Sequence, residues 1–345
     1  MFTIYKGDQM NLLHGDCLDK MKDIPDNAAH LICVDPPYFK VKKDEWDNQW
    51  DKPDEFLDWL DLCAGQWARI LKPNGSLYCF ASPQMSARVE VKISERFNVL
   101  NNLVWQKDAA CHSAIYGEER FRTFVLMSER IIFAEHYGAD NIAKGESGYQ
   151  AECEKLRGFV FEPIRAYLKE KQENVNEFWY GDKIPKLLLN SGIASNIASA
   201  KVIAKHKLDW EYNQFQFITE AQYILLKPLL KFNKEYEELR KEYEELRRYF
   251  TVSADVPYTD VWTFKPVSGY KGKHPCEKPQ ALLEHIISTS TRPGETVMDC
   301  FMGSGATGIA CQTLEREFIG MEKDDKWFAY AKDRLDNNTA QGRIF

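Results

Sequence analysis

Residues 295–308, Glu-Thr-Val-Met-Asp-Cys-Phe-Met-Gly-Ser-Gly-Ala-Thr-Gly, limit what this 345-residue chain can fold into more than any other stretch. Residues 296–300 are β-prone. Gly303, Gly305 and Gly308 follow in G-x-G-x-x-G spacing, and 309–314 read as helix. Strand, tight turn and helix in that order predict a nucleotide-binding α/β unit. The glycines let the backbone approach a ligand closely, and the new helix offers unpaired N–H groups at its positive end. A second apolar run, 318–321, ends on Glu322, whose carboxylate suits ribose hydroxyls. Nicotinamide, flavin and S-adenosylmethionine cofactors compete for such a loop. Asp299 at the strand end and Phe301 beyond it put a carboxylate where a pyrophosphate would sit, whereas an amino-acid ammonium would be welcome there.

A second anchor lies far upstream. The strand-like run 29–34 ends on Asp35-Pro36-Pro37-Tyr38. Neither proline can donate to a ladder, and Pro37 holds Pro36 extended, so the carbonyls there are rigidly aimed. A rigid carbonyl beside the Asp35 carboxylate makes two acceptors, enough for both hydrogens of an exocyclic amino group on a base. Tyr38 can stack on the ring. Before it, residues 11–14, 17–21 and 29–34 read as strand, short helix and strand, and 54–71 as an amphipathic helix with Phe56, Leu60, Cys63, Ala64 and Trp67 on one stripe.

These segments together resemble the amino-group DNA methyltransferases, specifically the adenine-N6 enzymes with a D-P-P-Y motif and an F-x-G-x-G cofactor loop. The catalytic motif precedes the cofactor motif, as in the permuted β class, which carries its target-recognition segment between them. Gly15-Asp16-Cys17 looks like the family's contact to the cofactor adenine. His274-Pro275-Cys276-Glu277-Lys278-Pro279 is similar to its segment before the cofactor strand, departing at Cys276 and Glu277 from the usual H-P-T-Q-K-P. Lys72-Pro73-Asn74-Gly75-Ser76 also fits the family core.

The resemblance implies an α/β fold: a Rossmann-like, S-adenosylmethionine-dependent methyltransferase sheet with helices on both faces, plus a mainly helical inserted target-recognition domain. The catalytic domain is expected over 1–140 and 256–345, the insert over 141–255. The implied catalytic residues are Asp35, Pro36, Pro37 and Tyr38. The implied cofactor contacts are Asp16, Cys17, His274, Lys278, Pro279, Asp299, Phe301, Gly303, Ser304, Gly305 and Glu322. The implied activity is methyl transfer from S-adenosylmethionine to N6 of adenine in double-stranded DNA, with the base flipped out of the duplex and no metal required. Rivals are cytosine-N4 transfer, for which the family more often has Ser at position 35, and protein-glutamine transfer, for which it has Asn. A catalytically inert DNA-binding module and a nicotinamide-dependent oxidoreductase complete the set.

Charge is unevenly spread along the chain. The net charge is −7, yet residues 155–210 hold ten Lys/Arg against six Asp/Glu. Within that stretch 183–190 and 195–207 read as two short helices that could dock as a helix-turn-helix, with Lys183, Lys186, Lys201, Lys205 and Lys207 as DNA contacts. Lys40, Lys42, Lys43 and Trp46 interleave charge and aromatics after Tyr38, in a loop that by resemblance closes over the extruded base. Residues 234–240 and 241–247 repeat the heptad Lys-Glu-Tyr-Glu-Glu-Leu-Arg, which predicts a long helix over 220–250 with its seam on the same chain or across a homodimer. A cognate restriction enzyme is the other expected protein partner. The nine scattered cysteines contain no C-x-x-C pair, against zinc and against a disulfide framework. No stretch approaches the roughly 18 apolar residues of a membrane span, and no signal-peptide core opens the chain. A cytoplasmic protein of a bacterial or phage-infected cell is expected.

Overall fold

The computed structural model describes residues 4–6, 10–41, 47–107, 124, 126–136, 149–173, 183–208, 216–252, 259–270 and 272–342. The chain divides into two compact units, Met1–Glu152 with Arg248–Phe345, and Cys153–Arg247.

The first unit is built on a nine-stranded sheet of order β1-β2-β9-β8-β3-β4-β6-β5-β7. Its strands are β1 (Ile4–Lys6), β2 (Met10–His14), β3 (Ala29–Val34), β4 (Leu71–Ala81), β5 (Asn98–Gln106), β6 (Ser128–Glu135), β7 (Val261–Thr263), β8 (Thr296–Asp299) and β9 (Glu317–Glu322). Strands β2, β9, β8, β3 and β4 run parallel, and β6 lies antiparallel to β4 and β5. Parallel strands are covered on both faces, so apolar residues follow one another rather than alternate, as at 31–34 in β3 and 77–81 in β4. Ile32, Val34, Cys79 and Met298 point into one core with helices α1 (Cys17–Met21), α2 (Pro53–Ile70) and α3 (Ser86–Ser94). Leu31, Cys33, Phe80 and Val297 point into the other, with α9 (Gln280–Ser290), α10 (Ala306–Thr313) and α11 (Asp325–Gly342). The α/β sheet with helices on both faces is the fold that the sequence predicts.

Topology fixes where a ligand goes. From β8 the chain winds outward to β9, and from β3 it winds the other way to β4, so β8 and β3 flank the point where winding reverses. A crevice opens there beyond the carboxyl ends of the strands. Asp299 ends β8 and Asp35 follows β3, and the register that pairs Ile32 with Met298 brings both to the same edge.

The second unit is helical among its described residues, comprising most of α4 (Tyr149–Glu173) with α5 (Lys183–Asn190), α6 (Ile197–Leu208), α7 (Glu220–Leu230) and α8 (Tyr236–Leu246). The single helix predicted over 220–250 is corrected here to two of eleven residues each. Pro228 takes a donor from the last turn of α7, and Lys231 turns left-handed at φ 49°. Two tyrosine hydroxyls then hold the turn: Tyr223 donates to the Lys234 carbonyl at 2.7 Å, and Tyr167 accepts from the Asn233 and Lys234 N–H groups at 3.2 Å. The heptad pattern is blind to such a break because Phe232 and Tyr236 keep the spacing while packing on Tyr223 across the turn.

Candidate active site

Between Asp299 and Asp35 lies a cavity of about 570 Å³, of the size that small-molecule sites occupy. It is lined by most of the residues singled out from the sequence: Asp16, Cys17, Asp35, Pro36, Pro37, Tyr38, His274, Lys278, Asp299, Phe301, Gly303, Ser304 and Glu322. Pro279 and Gly305 stand behind the wall, Pro279 as the residue before α9 and Gly305 as the cap of α10.

One wall is the turn after β8. Gly303 and Gly305 take φ of 47° and 75°, the left-handed region that favours glycine. A Cβ on Gly303 would come 3.2 Å from the His274 ring, which Trp327 holds edge-on at 4.4 Å. The cradle is therefore shaped by the absence of a side chain. Glu322 fastens it, accepting the Gly303 N–H on Oε2 and the Lys323 and Asp324 N–H groups on Oε1, all at 2.9 Å. Phe301 forms part of the lining, its ring 5.7 Å from Trp59 and 6.5 Å from Trp67. Asp16 caps α1, accepting the Leu18 N–H at 3.0 Å, and Cys17 follows it at the cavity.

Asp299 accepts the Phe301 N–H at 2.9 Å and the Thr307 hydroxyl at 2.6 Å. Burial pushes its carboxyl up to about 7, against those two hydrogen bonds. A carboxyl raised in the folded state favours folding below its unfolded value near 3.8, and that contribution is lost as pH rises through about 7. Asp299→Asn is accordingly expected to raise the unfolding temperature at pH 8 by several degrees and to change it little at pH 4, while weakening capture of an ammonium. Thermal melts at the two pH values check this.

The other wall is charged on the inside. Asp35 Oδ2 accepts from the buried Lys278 ammonium, which also lies 3.3 Å from Glu129 Oε2. Lys278, which the resemblance assigns to the cofactor, is thus turned toward the catalytic motif. Glu129 accepts the Tyr38 hydroxyl at 3.0 Å and the Lys107 ammonium at 2.5 Å. Burial raises the Asp35 carboxyl, with Lys278 opposing. Burial works against the charge on Lys278 too, but Asp35 and Glu129 outweigh it and hold the ammonium well above its ordinary value. Asp35 Oδ1 is buried and has no hydrogen-bond partner among the described residues. A buried acceptor left open carries a desolvation cost of about 1–3 kcal/mol that a donor in the cavity would relieve.

Sequence reasoning missed Glu129, Lys107, Trp59 and Trp327. Glu129 is the second residue of β6, and nothing local marks it, because its partners Tyr38, Lys107 and Lys278 come from three other segments.

The expected DNA contacts fall in both units. Lys40 is exposed and its ammonium donates to the Asp51 carbonyl at 2.9 Å, while Lys42, Lys43 and Trp46 lie outside the described residues. Lys183 and Lys186 on α5 and Lys201 and Lys205 on α6 are exposed. Lys207 is half-buried and donates to the Phe217 carbonyl at 2.9 Å, which turns it inward. Residues 183–208 carry no carboxylate at all.

The fold and sequence are similar to those of DNA methyltransferases. The DNA adenine methyltransferase YhdJ of Escherichia coli (strain K12) is 26% identical over 339 residues, spanning 97% of this chain and 85% of the relative. Among solved structures, the M1.HpyAVI–SAM complex superposes with a TM-score of 0.50 at 20% identity, covering 95% of this chain and 99% of that one. The PvuII DNA methyltransferase, cytosine-N4-specific, superposes with a TM-score of 0.53 at 14% identity, covering 97% and 92%. The family described as DNA methylase (N6_N4_Mtase) matches residues 29–333, which hold seven of the nine strands and most of the cavity lining, and the chain belongs to that family.

Proposed function

We propose that this chain transfers the methyl group of S-adenosylmethionine to N6 of adenine at a specific site in double-stranded DNA. The observation that carries the reading is the juxtaposition, in one cavity, of the glycine cradle at 303–305 and the open Asp35 Oδ1.

The cradle fits the cofactor on its own terms. Gly303 keeps the wall beside His274 free of a side chain, and Asp299 lines the cavity with a buried carboxylate that an ammonium would match. Asp299, Phe301, Gly303, Ser304, His274 and Glu322 would hold it, with Asp16 and Cys17 beside them. When bound, S-adenosylmethionine supplies a methyl group on a sulfonium, an electrophile with a good leaving group. The chain's task is then at the acceptor. An adenine amine is a poor nucleophile because its lone pair is delocalised into the ring. Asp35 Oδ1 and the Pro36 carbonyl accept its two hydrogens and localise the pair, a positioning and electrostatic effect worth several kcal/mol. Lys278 keeps Asp35 ionised in its buried setting, and Tyr38 offers a face to the base.

The base reaches this cavity only by leaving the duplex, at a cost of a few kcal/mol that stacking and phosphate contacts offset. The carboxylate-free stretch 183–208, with four exposed lysines, supports a phosphate-contacting role for the second unit. The reading carries with it a bacterial or phage-infected cytoplasm, and a cognate restriction enzyme or a second copy of the chain as partners to be sought by co-purification.

The acceptor is tested by incubating the protein with methyl-labelled S-adenosylmethionine and unmethylated bacterial DNA, followed by nucleoside chromatography. Label is expected in N6-methyl-2′-deoxyadenosine. Label in N4-methyl-2′-deoxycytidine would keep the chemistry and overturn the acceptor, and no label in DNA would overturn the activity.

A further inference from the structure

Lys278, Lys107, Asp35 and Glu129 form a quartet at the base-facing wall, two cations against two carboxylates, with Lys278 buried and Asp35, Glu129 and Lys107 part-buried. Asp35 comes from the end of β3, Lys107 from just beyond β5, Glu129 from β6 and Lys278 from the segment before α9. The Glu129 side chain is 14% exposed and Lys278 9%. Glu129 does not line the cavity; its side chain meets Tyr38 and Lys278, which do, and Lys107.

We propose that Glu129 is a positioning residue for methyl transfer: its two carboxylate oxygens hold the Tyr38 hydroxyl, Lys278 and Lys107, so that Lys278 stays on Asp35 Oδ2 and Asp35 Oδ1 stays free for the target amine. This rests on the activity given under Proposed function. Three geometric facts carry it. Tyr38 is tethered at its hydroxyl, 3.0 Å from Glu129 Oε2, which fixes the outer end of the ring. Lys278 lies between the two carboxylates and 5.5 Å and 5.0 Å from the centres of the Tyr38 and Phe80 rings, so its position is set from four sides. Lys107 balances the charge of Glu129 at 2.5 Å, leaving the quartet neutral.

The quartet has a consequence that a merely structural residue would lack. Asp35 is reached electrostatically by Lys278, Glu129 and Tyr38, by Asp299 on β8, and by the thiols of Cys33 on β3 and Cys79 on β4. Glu129 is the like charge among its nearest partners and holds the Asp35 carboxyl up. Glu129→Gln removes that repulsion while keeping the side chain's shape, so the quartet gains one positive charge and the Asp35 carboxyl falls. Activity needs Asp35 ionised, and the acid limb of the kcat profile therefore moves to lower pH, by about one unit for a charge at this range. At neutral pH kcat falls by roughly tenfold or more, because Tyr38 and Lys278 lose their shared anchor and Asp35 becomes a weaker acceptor. KM for S-adenosylmethionine stays within about twofold, since Glu129 does not reach the cradle. Removing the opposing charge in K107M/E129Q restores neutrality and recovers part of kcat, with the acid limb moving back up.

The test is the pH dependence of methyl transfer to duplex DNA by the wild type, E129Q, K107M and K107M/E129Q, with KM and kcat separated. The expected result is an acid limb lowered in E129Q and returned in the double variant, at unchanged KM for S-adenosylmethionine. If E129Q does not fold, the comparison of K107M with K107M/E129Q carries the same expected downward shift. An unmoved acid limb, or a double variant as impaired as E129Q, would overturn the positioning role while the wild type's transfer leaves the activity standing. A wild type that transfers no methyl group would overturn both.

Discussion

Asp35→Ala is expected to lower kcat by about 10³-fold, or ~4 kcal/mol at 1.4 kcal/mol per decade, while leaving the affinity for S-adenosylmethionine within about twofold. The reason is the division of labour across the cavity. Asp35 supplies the open acceptor, and the cradle at 303–305 with Asp299 lies on the other wall. The variant should fold, because Lys278 keeps Glu129 at 3.3 Å as a counter-charge when Asp35 is gone. Loss of one buried partner remains costly, on the order of 3 kcal/mol or more where no second partner exists, and Glu129 moderates that here. Asp35→Asn offers one acceptor oxygen in place of two and should fall between the two enzymes. Calorimetric binding of S-adenosylmethionine beside steady-state kinetics separates the two quantities.

Gly303→Val is expected to produce the opposite pattern, weakening S-adenosylmethionine binding by about 100-fold. An L residue at a φ of 47° bears about 1–2 kcal/mol of strain, and a β-branched one more. Its Cβ alone would come 3.2 Å from the His274 ring, which Trp327 backs, so displacement adds about 1–3 kcal/mol. The loop can escape both by leaving its native conformation, but then the Gly303 N–H bond to Glu322 is lost and the cost returns on binding. The sum, roughly 3 kcal/mol, is about two decades in Kd. Gly294→Val is the control. Gly294 has a φ of 79° with nothing within 4 Å of a Cβ and does not line the cavity. It should lose stability and keep its affinity.

What could be read from the sequence was local. The strand, glycine turn and helix at 296–313 are specified by neighbours in the chain, as is the rigid end of β3 at Pro36-Pro37, and both stand where those patterns put them. The alternation of Leu31 and Cys33 against Ile32 and Val34 likewise encodes a strand covered on both faces. The Lys278–Asp35 pair joins residues 243 apart, and Glu129 reaches them only after β6 lies down beside β4. No spacing rule encodes such a contact. The same limit explains why Glu322, expected to face a ribose, also proves to be the fastening of the glycine turn. The heptad over 220–250 misled because periodicity reports which residues are apolar and not whether the backbone between them runs straight; Pro228 was the local warning.

The division of the cavity into a cofactor wall and an amine wall is tested most directly by preloading the protein with methyl-labelled S-adenosylmethionine, removing the excess, and chasing with duplex DNA. The wild type should retain the label and pass it to DNA in one turnover, Asp35→Ala should retain it and pass none, and Gly303→Val should not retain it. Transfer by Asp35→Ala at the wild-type rate, or failure of that variant to hold the label, would contradict the account.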